Sequence, residues 1–220
     1  MSQIVLIRPC STDFDEQGRI QGTLDIPLNA QGSVNAQQLA EKLRPLNISL
    51  IYSSPCQAAW QTASTIGEAL DLKVKKVDSW QNVDHGLWQG MLVEDIRRKH
   101  PKVFRQWQEQ PENICPPEGE TLGDALERAR AALEKLIRKQ KGAVVAVVVP
   151  EPLAGIVRSL LTRDEVGESC KRKTCCGSWE LVDLSAPASR QPENPLAAEK
   201  NGAPAPKNGV PAPSMPIGLN

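Results

Sequence analysis

The run AVVAVVV, residues 143–149, decides the fold of this chain. It is far shorter than the roughly 20 apolar residues a membrane span needs. It also lacks the two-residue alternation of a strand with one wet face. Continuous β-branched runs of this length read as a strand buried on both sides, the hallmark of a parallel sheet covered by helices. Working outward, the stretch GETLGDALERARAALEKLIRK (119–139) precedes it with helical periodicity. Thr121 is the expected N-cap, and Asp124 three residues later approximates a capping box. On the other side, Leu153 to Leu161 reads as the next helix and SWELVDL (178–184) as a last strand. Further upstream, strands are expected over residues 3–8, 49–54 and 72–77. Helices are expected over 33–43, 56–70, 92–99 and 103–108. Strands alternating with helices predict an α/β three-layer sandwich with a mostly parallel central sheet.

Composition narrows the function classes. The 220 residues carry 26 basic and 26 acidic side chains, so neither a nucleic acid nor an acidic membrane is an expected partner. The first residues lack the pattern of a secretory signal, and the cytoplasm is the expected compartment. Six cysteines are expected as free thiols there. The Cys170-x4-Cys175-Cys176 spacing is not that of a zinc site, and no metal or cofactor is expected. Only two histidines are present, His85 and His100. Composition shifts at residue 186: the segment 186–220 is rich in Pro, Ala and Gly and has no apolar periodicity. It is expected to be a disordered tail behind a single domain over 1–185.

The ordered motifs resemble the histidine phosphatase superfamily, in its phosphoglycerate mutase-like branch, over about residues 3 to 184. The first strand leads into Arg8-Pro9-Cys10-Ser11-Thr12, where the family has Arg-His-Gly-Glu-Thr. Arg19-Ile20-Gln21-Gly22 follows, then Asp25-Ile26-Pro27-Leu28 closed by Gly32. Ile51-Tyr52-Ser53-Ser54-Pro55, Gln61-Thr62-Ala63, VDHGLWQG (83–90) and the stretch Pro117-Glu118-Gly119-Glu120 complete the series. The resemblance implies a phosphoglycerate mutase-like fold. It also implies a site of two histidines, two arginines and a proton-donating acid around a phosphoryl group. Such a site needs a nucleophile, a general acid and cationic donors for the equatorial oxygens.

Carried over position by position, most of that site is missing. Arg8 is present. The nucleophilic histidine's place is held by Pro9, which has no attacking atom. The second arginine's place is Ala58, and the acid's place is Asn82. Counting along the central strand puts Glu151 at the second histidine. A one-residue shift would put Pro150 there, and counting back from the next helix would put Leu153. Like charges about 4 Å apart repel by about 1 to 4 kcal/mol at effective dielectrics of about 80 to 20, so Glu151 would oppose a phosphoryl dianion. An Arg8–Glu151 pair across the old site is expected instead.

The resemblance therefore implies a catalytically inactive member, a pseudophosphatase that binds an unidentified protein or small-molecule ligand. Its vestigial pocket would comprise Arg8, Pro9, Cys10, Arg19, Gln21, Gly22, Ala58, Asn82 and Glu151, with no catalytic residue intact. Arg8, Arg19 and the Gln21-Gly22 backbone would retain a weak grip on an anion. The alternative is a weak phosphatase, or one with a relocated mechanism acting on a phosphoester. Its nucleophile would be Cys10, activated by Arg8. In the family, the loops carrying Cys10 and Cys56 bound one pocket, and Cys175 and Cys176 would approach it. His85 takes the family's aromatic position and is expected to pack, with His100 solvated. Trp80, Trp88, Trp107 and Trp179 are expected in the core or cap, and Trp60 at the surface.

Overall fold

The computed structural model describes residues 2–140, 142–171 and 174–184; the expected tail at 186–220 lies outside them. Five strands form one sheet: β1 (Gln3–Ile7), β2 (Leu50–Ser53), β3 (Val74–Lys76), β4 (Val144–Val148) and β5 (Trp179–Asp183). Their order is β3-β2-β4-β1-β5. All neighbours run parallel except β5, which pairs antiparallel with β1. The valine run is thus the middle strand.

Alternation along the strands explains why that run is apolar throughout. Ile4 and Leu6 of β1, Leu50 and Tyr52 of β2, and Val145 and Val147 of β4 face one core. Val5, Ile7, Ile51, Ala146 and Val148 face the other. The first core is covered by α6 (Leu122–Lys139) and α7 (Leu153–Thr162). In α6, Leu122, Ala125, Ala129, Leu133 and Leu136 recur at helical spacing on the buried face. The second core is covered by α2 (Ala30–Leu43) and α3 (Gln57–Leu70), through Ala36, Leu39, Ala40, Leu43, Ala59, Ala63 and Ile66. The three layers are helices, sheet and helices.

The capping box at Thr121 and Asp124 is complete: the hydroxyl accepts from the Asp124 N–H at 3.1 Å, and the carboxylate accepts from the Thr121 N–H at 3.2 Å. A second box at Thr12 and Asp15 starts the short α1 (Asp13–Gln17), which the periodicity did not reveal. Helix α2 begins three residues earlier than expected, because Asn29 caps it by accepting from the Gly32 N–H at 2.7 Å. Ahead of α6, α4 (Val93–Lys99) and α5 (Pro101–Glu109) form a small cap. Trp88, Val93, Ile96, Phe104 and Trp107 pack it together. His85 joins them as an edge-on neighbour of Trp107, its ring 5.9 Å away, while His100 is exposed. Trp80, Trp88 and Trp107 are buried and Trp179 is partly so. Trp60 is half-buried, with the Lys76 ammonium 4.5 Å from its ring centre. No helix among the described residues is long and apolar enough to cross a membrane. The last helix, α8 (Val166–Lys171), carries Cys170, whose side chain lies outside the described residues.

Candidate functional site

Ligand clefts in α/β sheets lie beyond the C-terminal ends of the parallel strands. Here β1 ends at Ile7 beside the end of β4 at Val148. The antiparallel β5 starts at that same edge, with Trp179 opposite Ile7. Three segments therefore converge: Arg8-Pro9-Cys10 leaving β1, Pro150-Glu151 leaving β4, and Thr174-Cys175-Cys176 entering β5. Ala58 in the first turn of α3 and Arg19 and Gln21 from the loop after α1 close the cleft. Its volume is about 50 Å³, space for a few waters.

Buried charge governs the cleft. The Arg8 Nε donates to Glu151 Oε1 at 2.6 Å, and its Nη2 donates to Glu180 Oε1 at 3.1 Å. Glu151 is held on its far side as well. Its Oε1 accepts from the Thr174 hydroxyl at 3.1 Å, and its Oε2 accepts from the Gly155 N–H, also at 3.1 Å. That N–H lies in the first turn of α7, where a helix favours an anion. Arg158 of α7 continues the chain of charges, donating to Glu180 Oε2 and to Asp164 Oδ2, each at 3.0 Å. Three carboxylates thus alternate with two guanidiniums, Glu151–Arg8–Glu180–Arg158–Asp164. Burial opposes the charge on Arg8, but Glu151 and Glu180 outweigh it and raise its pKa.

The expected Arg8–Glu151 pair is made. Of the three counts along the central strand, Pro150 lines the cleft next to Glu151, whereas Leu153 is the first residue of α7 and is fully buried in the core. Pro9, Cys10, Arg19, Gln21 and Ala58 line the same cleft. Gly22 and Asn82 stand behind its wall rather than in it. The Asn82 Nδ2 donates to the Gly22 carbonyl at 3.1 Å and to the Glu151 carbonyl at 2.9 Å. Asn82 is itself fixed by Arg128, which donates to its carbonyl at 3.1 Å and pairs with Glu120 at 2.6 Å. Arg19 donates to the Gly90 carbonyl at 2.6 Å, and Gln21 donates to the Thr12 hydroxyl.

A further expectation needs amendment. Cys56 does not line the cleft; it is buried in the core between the sheet and α2–α3. Glu180 and Arg158, by contrast, were not anticipated. A charged residue inside the apolar sequence LAGIVRSLLT was the available signal for Arg158, because a buried guanidinium needs a partner. Glu180 alternates with core residues on an edge strand and carried no comparable signal.

Burial blunts the nucleophilic character of Cys10, Cys176 and His85. Burial pushes the Cys10 thiol up to about 11, only partly offset by Thr62, so it is protonated at neutral pH. The Cys176 thiol is raised further, first by burial and then by the neighbouring Asp15. Burial pushes the Asp15 carboxyl up as well, against hydrogen bonds from Thr12. Burial lowers the His85 imidazole, which rests its Nδ1 against the Val83 carbonyl at 3.0 Å and takes no part in the cleft. Among the described residues no group of three His, Cys, Asp or Glu side chains is arranged to hold a metal ion.

Residues 4–170 match the profile of the Histidine phosphatase superfamily (branch 1). Phosphoserine phosphatase 1 of Hydrogenobacter thermophilus is 36% identical over 148 residues, which is 67% of this chain and 70% of that protein. Phosphoglycerate mutase-like protein 4 of Arabidopsis thaliana is 30% identical over 74% of this chain and 70% of its own length. Among solved structures, a mycobacterial glucosyl-3-phosphoglycerate phosphatase in complex with VO3 superposes with a TM-score of 0.76 at 25% identity. That match covers 82% of this chain and 90% of the other. The profile match over most of the chain and these relatives make the chain a member of the histidine phosphatase superfamily, branch 1.

Proposed function

We propose that this chain is a pseudophosphatase: a histidine phosphatase scaffold that binds a protein or small ligand and does not turn over phosphoesters. The observation that carries the reading is the 2.6 Å contact between Arg8 and Glu151. It gives the cleft's innermost cation a resident carboxylate at the place where a phosphoryl oxygen would have to sit. Pro9 supplies no attacking atom, and Ala58 supplies no second guanidinium. Asn82 supplies no acidic proton. Loss of the catalytic nucleophile in a dissected hydrolase cost about 10⁶ in kcat, so ordinary turnover is not expected here.

A second reading takes its support from the relatives, whose names are those of phosphatases and a phosphoglycerate mutase-like protein. In it the chain hydrolyses a phosphoester with Cys10 as nucleophile. The burial of that thiol and its raised pKa weigh against it. One paired experiment separates the two. Purified chain is assayed against a panel of phosphomonoesters. It is then assayed again with Pro9→His, Ala58→Arg, Asn82→Glu and Glu151→His introduced together. The pseudophosphatase reading expects no turnover before and measurable turnover after. Turnover by the unaltered chain that Cys10→Ser abolishes would establish the second reading instead.

A further inference from the structure

We propose that the corner between α4 and α5 is a docking site for an acidic segment of a partner protein. It deepens the binding role proposed above by naming the partner's chemistry, and rests on that role rather than on the inert cleft. The stretch RRKHPKVFR, residues 97–105, holds five of the chain's 26 basic side chains and no acid. The rest of the chain therefore carries five more acids than bases. Arg97, Arg98, Lys99, His100, Lys102 and Arg105 are all exposed, and only His100 separates the two helices.

Helix electrostatics account for part of this cluster. Arg97, Arg98 and Lys99 form the last turn of α4, where a helix favours cations. Lys102, however, lies in the first turn of α5, where the dipole opposes a cation, and Arg105 lies in the second. That first turn holds no acid to offset Lys102. Lys99, Lys102 and Arg105 form no ion pair among the described residues. Arg97 and Arg98 do pair, with Glu94 and Asp95, each at 2.9 Å. The two arginines are 49% and 71% exposed, so these pairs contribute little and exchange readily for a partner's carboxylates.

The platform beneath is firm. Phe104 and Trp107 bury the inner face of α5 with Trp88, Val93 and Ile96. Lys102 and Arg105, three residues apart, stand together on its outer face. A nucleic-acid duplex or an anionic bilayer presents charge over a far wider area than one helix corner, and would also meet the acidic excess elsewhere on the chain. A short run of Asp or Glu meets the corner alone.

The test titrates the full chain into dye-labelled octaglutamate and follows fluorescence anisotropy. Saturable binding is expected, weakening as salt rises. Lys99→Ala, Lys102→Ala and Arg105→Ala together should weaken it about tenfold or more. The matched loss of three cations around β3, by Lys73→Ala, Lys75→Ala and Lys76→Ala, should leave it unchanged. Circular dichroism checks that both variants fold; should the first not fold, Lys102→Ala alone reads the same direction. No saturable binding, equal weakening by both variants, or tighter binding of oligothymidylate or phosphatidylserine vesicles than of octaglutamate would overturn the proposal. Octaglutamate binding by a preparation that also turns over phosphomonoesters would uphold this surface while refuting the inactive cleft.

Discussion

The residues that tie the loops of this molecule and those that face its cleft behave differently, although they come from the same motifs. Gln61 and Thr62 tie loops: the Gln61 Oε1 accepts from the Leu28 N–H at 2.8 Å, and the Thr62 Oγ1 accepts from the Cys10 N–H at 3.1 Å. Both belong to the Gln61-Thr62-Ala63 motif that carries the sequence resemblance. One helical turn away, Ala58 faces the cleft, where the resemblance implies an arginine. The scaffold's hydrogen bonding and the cleft's chemistry are therefore separable. A loop tie satisfies a buried backbone group, which the fold requires in any member. A cleft side chain answers only to the ligand.

Breaking the cleft side should have the largest effect. Arg8→Met leaves the partly buried Glu151 without its cation and Glu180 with Arg158 alone, their side chains being 9% and 18% exposed. Removing one partner from such a network costs about 3 to 5 kcal/mol, measured as a fall in unfolding free energy in urea. A loss below about 1 kcal/mol would mean that the network is effectively solvated. On the loop side, Thr62→Val orphans the Cys10 N–H without emptying the site of volume. Leaving one buried donor unsatisfied costs about 1 to 3 kcal/mol. An effect as large as that of Arg8→Met would erase the distinction between the two classes of residue.

The smallest effect concerns the cap, which belongs to neither class. Burial lowers the pKa of His85 in the folded chain, while the unfolded value is about 6.5. Below that value the unfolded chain binds more protons than the folded one. The contribution of His85 is therefore fully present above pH 6.5 and lost as pH falls through the folded value. Stability measured from pH 7.5 downward should decline more steeply for the native chain than for His85→Gln. Equal slopes would place His85 in water.

How much of this was legible beforehand followed from how local each feature is. The valine run of β4 and the Thr121–Asp124 box announce themselves within a few residues, and both are present in the structure. The Arg8–Glu151 pair was legible only because motif order aligned two positions 143 residues apart. Glu180 and Arg158 escaped notice because their roles depend on the antiparallel edge strand, and strand direction leaves no mark on the alternation of a five-residue segment. Cys56 was misplaced for a related reason. It adjoins a cleft-facing helix turn, yet its side chain points between the sheet and α2–α3, and sequence proximity does not reveal orientation.

Vanadate binding to the unaltered chain, followed by titration calorimetry, tests most directly whether Arg8 is already satisfied from within. The ion accompanies the related mycobacterial phosphatase in its solved structure. Because Glu151 and Glu180 occupy the guanidinium, no saturable binding is expected up to millimolar concentration. Saturable binding at micromolar vanadate, weakened by Arg8→Lys, would contradict the account.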